Sequence, residues 1–376
     1  METVLNIGFG VGILMFFLLL FKKAKQKGDY FFLSWIGIML CQVAFYQITI
    51  YQFEMTGFWA ISFFSLPLLG APVLYLYILH LTGHKVLSQT ILVHSSIYVI
   101  YVIILFGAQQ YWDMLIIAKD GYLIIQKSDT FWSRFYAVPL AISGLLYCVW
   151  DLLLLKEHRT SITTLFSFQE KIDLKWLTYV VNSFLILFVI TSIWIFGATQ
   201  FQLFPLKNAF ALVGISLSLM LIAFGFYGFK QTAVFSSIDF SQNNSPVHSS
   251  PEKLKSPYSK SGLTDDKIEV LAQRLEIFMI QEKPFMNENL NLALLADNLN
   301  ISPAHLSQVI NQYYKINFYD YINQYRVEMA KTMIESNDYD HLSILGIAFE
   351  CGFKSKSSFN RYFKKNTGKT PSHFSS

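Results

Sequence analysis

Charge is scarce in this 376-residue chain: 14% of its residues are Asp, Glu, Lys or Arg, while 53% are hydrophobic. A soluble domain averages about 25% charged residues, so part of the chain is expected to sit outside water. Cysteine is scarcer still. Cys41, Cys148 and Cys351 stand far apart with no CxxC or Cys/His cluster, which excludes a disulfide-stapled secreted fold and leaves zinc no evident site. No HExxH, GxSxG or phosphate-binding glycine loop occurs, and no carboxylate pair lies within an apolar stretch. Catalysis is therefore not indicated, and no cofactor or metal is expected. Aromatic residues, by contrast, make up 17% and exclude disorder for most of the chain.

The charge that exists is unevenly spread. Residues 1–229 hold 23 charged side chains, whereas the shorter segment 230–376 holds 31. Uncharged windows run over 3–21, 30–53, 55–84, 86–112, 135–150, 176–206 and 208–229. About 20 helical residues cross a bilayer core, so these are seven candidate spans. The fifth is long enough if it extends over 131–155, with Arg134 and Asp151 reaching the interfaces. Alternate loops then differ in basic content. One set holds Lys22, Lys23, Lys25, Lys27, Lys85, Lys156, Arg159, Lys171, Lys175 and Lys230, and the other only Lys119, Lys127, Arg134 and Lys207. The positive-inside rule makes the first set cytoplasmic, which places the N-terminus outside and everything after Lys230 inside. The first basic run follows the first apolar segment with no small-x-small site after it, so that span is expected to remain as an anchor. Gln42, Gln47, His94, Asp151 and Asn182 are the intramembrane polar residues to inspect for a ligand or proton path, although such groups more often bond across helices. Tyr111, Trp112 and Ile116–Ile117 lie in the longest external loop, where an interfacial position is favoured over covering a ligand.

From Ser236 to Gly262 the chain turns rich in Ser, Asn and Pro, a composition expected of a mobile tether. Beyond it, Thr264 suits an N-cap and Asp265 and Asp266 suit the positive end of a helix. Ile268, Leu271, Leu275, Phe278 and Met279 recur at helical spacing until Pro284. This amphipathic helix either packs against the next domain or forms a short homodimer seam through Ile268, Leu271, Leu275 and Phe278. The packing reading is slightly favoured, although a weak seam would give signalling a controllable contact.

The last ninety residues contain an internal repeat. A shift of 52 pairs Leu290 with Leu342, Leu292 with Ile344, Leu295 with Ile347, Ala296 with Ala348 and Asn300 with Gly352. A shift of 53 then pairs Ser302 with Ser355, Leu306 with Phe359 and Ile310 with Phe363, so Lys354 is the inserted residue. Each copy reads as helix, tight turn, helix. The small alanine permits close helix approach, Asn300 or Gly352 tolerates a left-handed turn, and Ser302 or Ser355 caps the second helix. Such an arrangement sets its second helix into a DNA major groove. The second copy carries Lys354, Lys356, Arg361, Lys364, Lys365 and Lys369 with no acid after Glu350, a phosphate-binding composition. Lys356, Ser357, Asn360 and Arg361 lie opposite Phe359 and Phe363 and are suited to base edges. The first copy offers Ala304, Ser307, Gln308 and Asn311, which are uncharged and promise gentler readout.

The run Ile347-Ala348-Phe349-Glu350-Cys351-Gly352-Phe353, followed by Ser355-x-Ser357-x-Phe359-x-Arg361-x-Phe363-Lys364 and Gly368-x-Thr370-Pro371, resembles the signature of AraC/XylS-type transcription regulators. Leu295-Ala296, Ile301-Ser302-Pro303, Leu306-Ser307 and Tyr321-Ile322-Asn323-x-x-Arg326-Val327-x-x-Ala330 extend the resemblance over 286–376. It implies two helix-turn-helix units joined by a long helix near 318–336. By position it implies base readout by Ala304, Ser307 and Gln308 in the first unit and by Lys356, Ser357, Asn360 and Arg361 in the second. Lys315 stands where members commonly have Gly, and Gln308 and Asn311 where a basic residue is frequent, which implies weaker phosphate anchoring by the first unit.

The expectation is an all-α protein: a seven-transmembrane-helix bundle over 1–230, a linker over 231–263, the amphipathic helix over 264–285, and a cytoplasmic double helix-turn-helix over 286–376. Its expected function is a membrane-bound, sequence-specific transcription regulator in a bacterial cytoplasmic membrane, with promoter DNA, the lipid bilayer and an unidentified membrane signal as partners. Alternatives are a transporter or membrane enzyme carrying an interaction module, and a tethered factor released by proteolysis.

Overall fold

A computed structural model describes residues 2–230 and 263–374, apart from Ala24, Gln26, Gln52, 127–135, Glu170 and Lys171. The expected tether therefore lies outside the described residues except for Leu263. The chain divides into two compact units, one of Met1–Leu155 with Lys175–Asn243 and one of Lys156–Leu174 with Asn244–Ser376. Residues 156–174, expected within the membrane part, thus group with the C-terminal unit. The Ser167 hydroxyl, which donates to the Leu290 carbonyl and accepts from the Arg326 guanidinium, accounts for this difference.

The first unit comprises α1 (Glu2–Leu20), α2 (Lys27–Ile50), α3 (Gly57–Phe64), α4 (Pro67–Leu81), α5 (Ser88–Tyr111), the first part of α6 (Val138–Leu165), α7 (Lys175–Gln200) and α8 (Leu206–Lys230). Among the described residues, seven segments are long and apolar enough to cross a membrane, with α3 and α4 forming one of them. That segment breaks before Pro67, which lacks an amide donor, and the Ser65 hydroxyl donates to the Ile61 carbonyl at 2.6 Å beside the break. Large apolar residues such as Leu92, Ile103, Ile186 and Ile193 face outward, a costly arrangement in water and an ordinary one in lipid.

The fold is all-α as expected, with one small sheet beside the helices. β1 (Met55–Thr56), β2 (Leu115–Lys119) and β3 (Tyr122–Gln126) form an antiparallel sheet with Ile116 opposite Ile125 and Ala118 opposite Leu123. Asp120 and Gly121 both have positive φ, 54° and 86°, as a tight two-residue hairpin turn requires. Ile116, Ala118 and Leu123 point inward against Tyr46, Ile61 and Phe64, so Ile116 serves a core, whereas Tyr111 and Trp112 remain exposed.

The polar residues noted within the apolar helices are largely engaged. Gln47 donates to Asn6 Oδ1 at 2.9 Å, Asn182 to its own helix at Thr178, and His94 Nδ1 lies 2.7 Å from the Tyr147 hydroxyl. Gln42 is buried, and Asp151 is buried with no hydrogen-bond partner for Oδ1 among the described residues.

The C-terminal unit contains α9 (Asp265–Gln281), α10 (Leu292–Asn298), α11 (Pro303–Gln312), α12 (Phe318–Glu335), α13 (Ile344–Glu350), α14 (Lys356–Thr367) and α15 (Pro371–Phe374). Thr264 occupies the N-cap position of α9, but its side chain makes no capping bond. Ile268, Leu275 and Met279 are buried against Leu306, Val309 and Ile310, with Leu271 and Phe278 packed on the same core. The apolar face of α9 thus packs on the core of its own unit, the favoured of the two expectations for it. Helix α12 joins two cores. Its Tyr321 and Ile322 belong to the first, and Val327, Ala330 and Met333 to the second with Ile347, Phe359 and Phe363.

Backbone conformation follows the repeat. Asn300 and Gly352 occupy the left-handed region at φ 54° and 84°, and Lys315 does so at 56°. A Cβ on Gly352 would lie 2.5 Å from the Phe285 carbonyl oxygen. Gly352→Ala is therefore expected to destabilise the C-terminal unit by about 2–4 kcal/mol, and Lys315→Gly to stabilise it by about 0.5–1 kcal/mol. Urea-dependent pulse proteolysis of the full chain, followed through a C-terminal tag, measures both.

Candidate nucleic-acid interface

Short polar residues start the helices of both repeats. The side chain of Asn291 caps α10, that of Ser302 caps α11, Asn317 caps α12, Ser343 caps α13 and Ser355 caps α14, each accepting a backbone N–H from three residues on. At its other end α14 closes on Gly368 at φ 75°, whose N–H donates to the Lys364 carbonyl. With Phe359 and Phe363 buried beneath it, α14 presents Lys356, Ser357, Arg361, Lys364 and Lys365 to solvent and leaves Asn360 half-buried. Steps of three to four residues align these side chains along one face.

That face is tied to the start of α12. The Arg361 guanidinium donates to the Tyr319 hydroxyl at 3.0 Å, while Lys365 and the Tyr362 hydroxyl donate to Asp320 Oδ1 at 3.0 and 2.8 Å. These contacts hold the angle between the connecting helix and α14. They also engage Lys365 with an acid, while Lys356 and Lys364 stay exposed on α14.

A helix-turn-helix domain family matches residues 295–376. The chain is 38% identical over 74 residues to the HTH-type transcriptional regulator YijO of Escherichia coli, covering 20% of this chain and 25% of that protein. It is 33% identical over 81 residues to the regulator YpdC of the same organism, or 22% of this chain and 27% of that one. An HTH-type transcriptional regulator of Staphylococcus aureus is 30% identical over 128 residues, or 34% of this chain and 16% of its own length. The C-terminal region is an AraC-type helix-turn-helix domain. The chain thus spans about a quarter or less of these relatives, and no solved structure matches it.

Within the AraC-type domain the two repeats differ in access. Ala304 is exposed on α11, but Ser307 and Gln308 are only 8% and 4% exposed. Asn311 donates to the Ser307 hydroxyl at 3.3 Å, and Gln308 donates to Gln312 Oε1 at 3.1 Å. The structure therefore brings the second-repeat residues together on an open face, and of the three first-repeat residues it presents Ala304.

The sequence assigned no role to Arg326, which is 1% exposed on α12. Its guanidinium donates to the carbonyls of Phe285 at 2.7 Å, Asn287 at 2.9 Å and Ser167 at 3.1 Å, to the Ser167 hydroxyl at 3.1 Å and to Asn323 Oδ1 at 3.3 Å. The available signal was periodicity: Ile322, Arg326, Ala330 and Met333 share one helix face, so an Arg occupies a core position. Cys351 is inert by contrast. Burial pushes its thiol up to about 12, aided by Glu350 and opposed by Arg326, so no thiolate forms at neutral pH.

If α14 reads bases, Arg361→Ala and Asn360→Ala each cost about 1–3 kcal/mol of specific binding, whereas Lys364→Ala weakens all duplexes alike and flattens the salt dependence by about one phosphate contact. Competitive gel shifts across a salt series separate the two classes; unchanged sequence preference in Arg361→Ala removes it from base readout.

Proposed function

We propose that this chain is a membrane-bound, sequence-specific DNA-binding transcription regulator. The observation that carries the reading is the open basic face of α14, capped by Ser355 and free of acids after Glu350, within an AraC-type domain. Lys356, Ser357, Asn360 and Arg361 contact base edges, while Lys364 and Lys365 contact phosphates. The first repeat contributes Ala304 from its exposed surface, with Ser307 and Gln308 beside it on α11.

Seven apolar segments and the distribution of Lys and Arg support an anchor in a bacterial cytoplasmic membrane with the DNA-binding domain on the cytoplasmic side. The membrane part couples a signal there to promoter occupancy. Chromosomal mapping with an epitope-tagged chain is expected to recover discrete promoter sites, lost in Arg361→Ala. Reporters fused after residues 165 and 235 should be active in the cytoplasm and one after 120 outside it; an extracytoplasmic reporter at 235 overturns the DNA-binding reading, because DNA lies inside.

A further inference from the structure

Residues 156–174, which close the fifth span and follow it, fold as part of the C-terminal unit. Leu165 packs on the first helix-turn-helix core, and Phe166 forms an antiparallel bridge with Asn291. Ser167 is 1% exposed. Its N–H and hydroxyl both donate to the Leu290 carbonyl, at 3.3 and 2.6 Å, and its own carbonyl accepts from Asn323 at 3.2 Å and Arg326 at 3.1 Å. Phe168 lies beneath Lys354, whose ammonium is 3.5 Å from the ring centroid and donates to Asn289 Oδ1 at 2.7 Å. Four consecutive residues thereby touch the start of the first repeat, the connecting helix and the turn of the second repeat.

Lys354 immediately precedes Ser355, the N-cap of α14, and is one of the six basic residues that give the second repeat its phosphate-binding composition. An ammonium seated on an aromatic ring and an amide oxygen is withdrawn from a third partner. We propose that Leu165–Phe168 is an intramolecular clasp that docks on the AraC-type domain and competes with DNA phosphate for Lys354. The inference rests on the DNA-binding reading. The clasp also supplies a mechanical link, since α6 runs unbroken from Val138 to Leu165 and transmits displacement that a Ser/Pro tether dissipates. Movement of the fifth span withdraws Ser167, opens the Arg326 donors it held to water, frees Lys354 and raises affinity for DNA.

The test uses the full chain in nanodiscs, with Cys41 and Cys148 replaced by Ala, Phe166→Cys paired with Asn291→Cys, and a site-specific protease site inserted after Asn244. Bridge partners stand about 4.5–5.5 Å apart at Cα, within disulfide range. Docking predicts that oxidation keeps the two fragments joined after cleavage and that reductant separates them; fragments that never join overturn the clasp. Fluorescence anisotropy with a short random-sequence duplex then reads the competition. The closed disulfide should bind more weakly and recover on reduction. Phe168→Ala, in the chain without the added cysteines, should bind about threefold to tenfold more tightly than the parent. Its log–log salt slope should steepen by about 0.9. Joined fragments with unchanged affinity overturn the sequestration of Lys354. If no reduced variant binds duplex at low salt, the DNA-binding reading fails together with the competition, and the joined fragments still report whether the clasp docks.

Discussion

A buried guanidinium cannot be left short of acceptors, because its desolvation cost is recovered only through hydrogen bonds. Arg326 imposes that constraint on the whole C-terminal unit. Its acceptors come from the segment before the first repeat, from its own helix and from the segment that follows α6. Three stretches of chain that share no local signal are drawn to one point, and the two helix-turn-helix cores lie on either side of it along α12. Gly352 belongs to the same arrangement: a bare backbone there lets the second turn approach the Phe285 carbonyl that Arg326 also uses.

Around this centre the repeats are alike in construction and unlike in surface. Both use a small residue where their helices meet, a left-handed residue in the turn and a serine cap on the second helix. Their second helices diverge, α11 being uncharged with Ser307 and Gln308 buried and α14 basic and open. Phosphate attraction is long-ranged and indifferent to sequence, whereas base contacts need exposed donors at fixed positions. The second repeat holds both kinds of group on one helix face, and α12 sets its direction through Tyr319 and Asp320.

The N-terminal unit follows a different economy. Its helices leave apolar side chains on their outer surfaces, and most of the polar residues noted within them bond to neighbouring helices or their own backbone. The small sheet was legible in principle, since Asp120-Gly121 between apolar runs is a strong hairpin signal. Helical span counting overlooks it because five-residue strands are short beside a 20-residue window.

What the sequence determined by itself is local: uncharged windows long enough to span, caps three residues from the amides they bind, and a repeat whose apolar spacing predicts two helix pairs. Those features depend on neighbours within one or two helical turns, so composition and periodicity reveal them. Tertiary structure alone decided that the apolar face of α9 packs inward, that Ser307 and Gln308 are covered while α14 stays open, and that Ser167 meets Arg326. The Arg326 partners outside its own helix lie 39 to 159 residues away in sequence. No periodicity encodes such pairings; they arise because a charged group buried among packed helices takes whichever oxygen atoms the fold brings within reach.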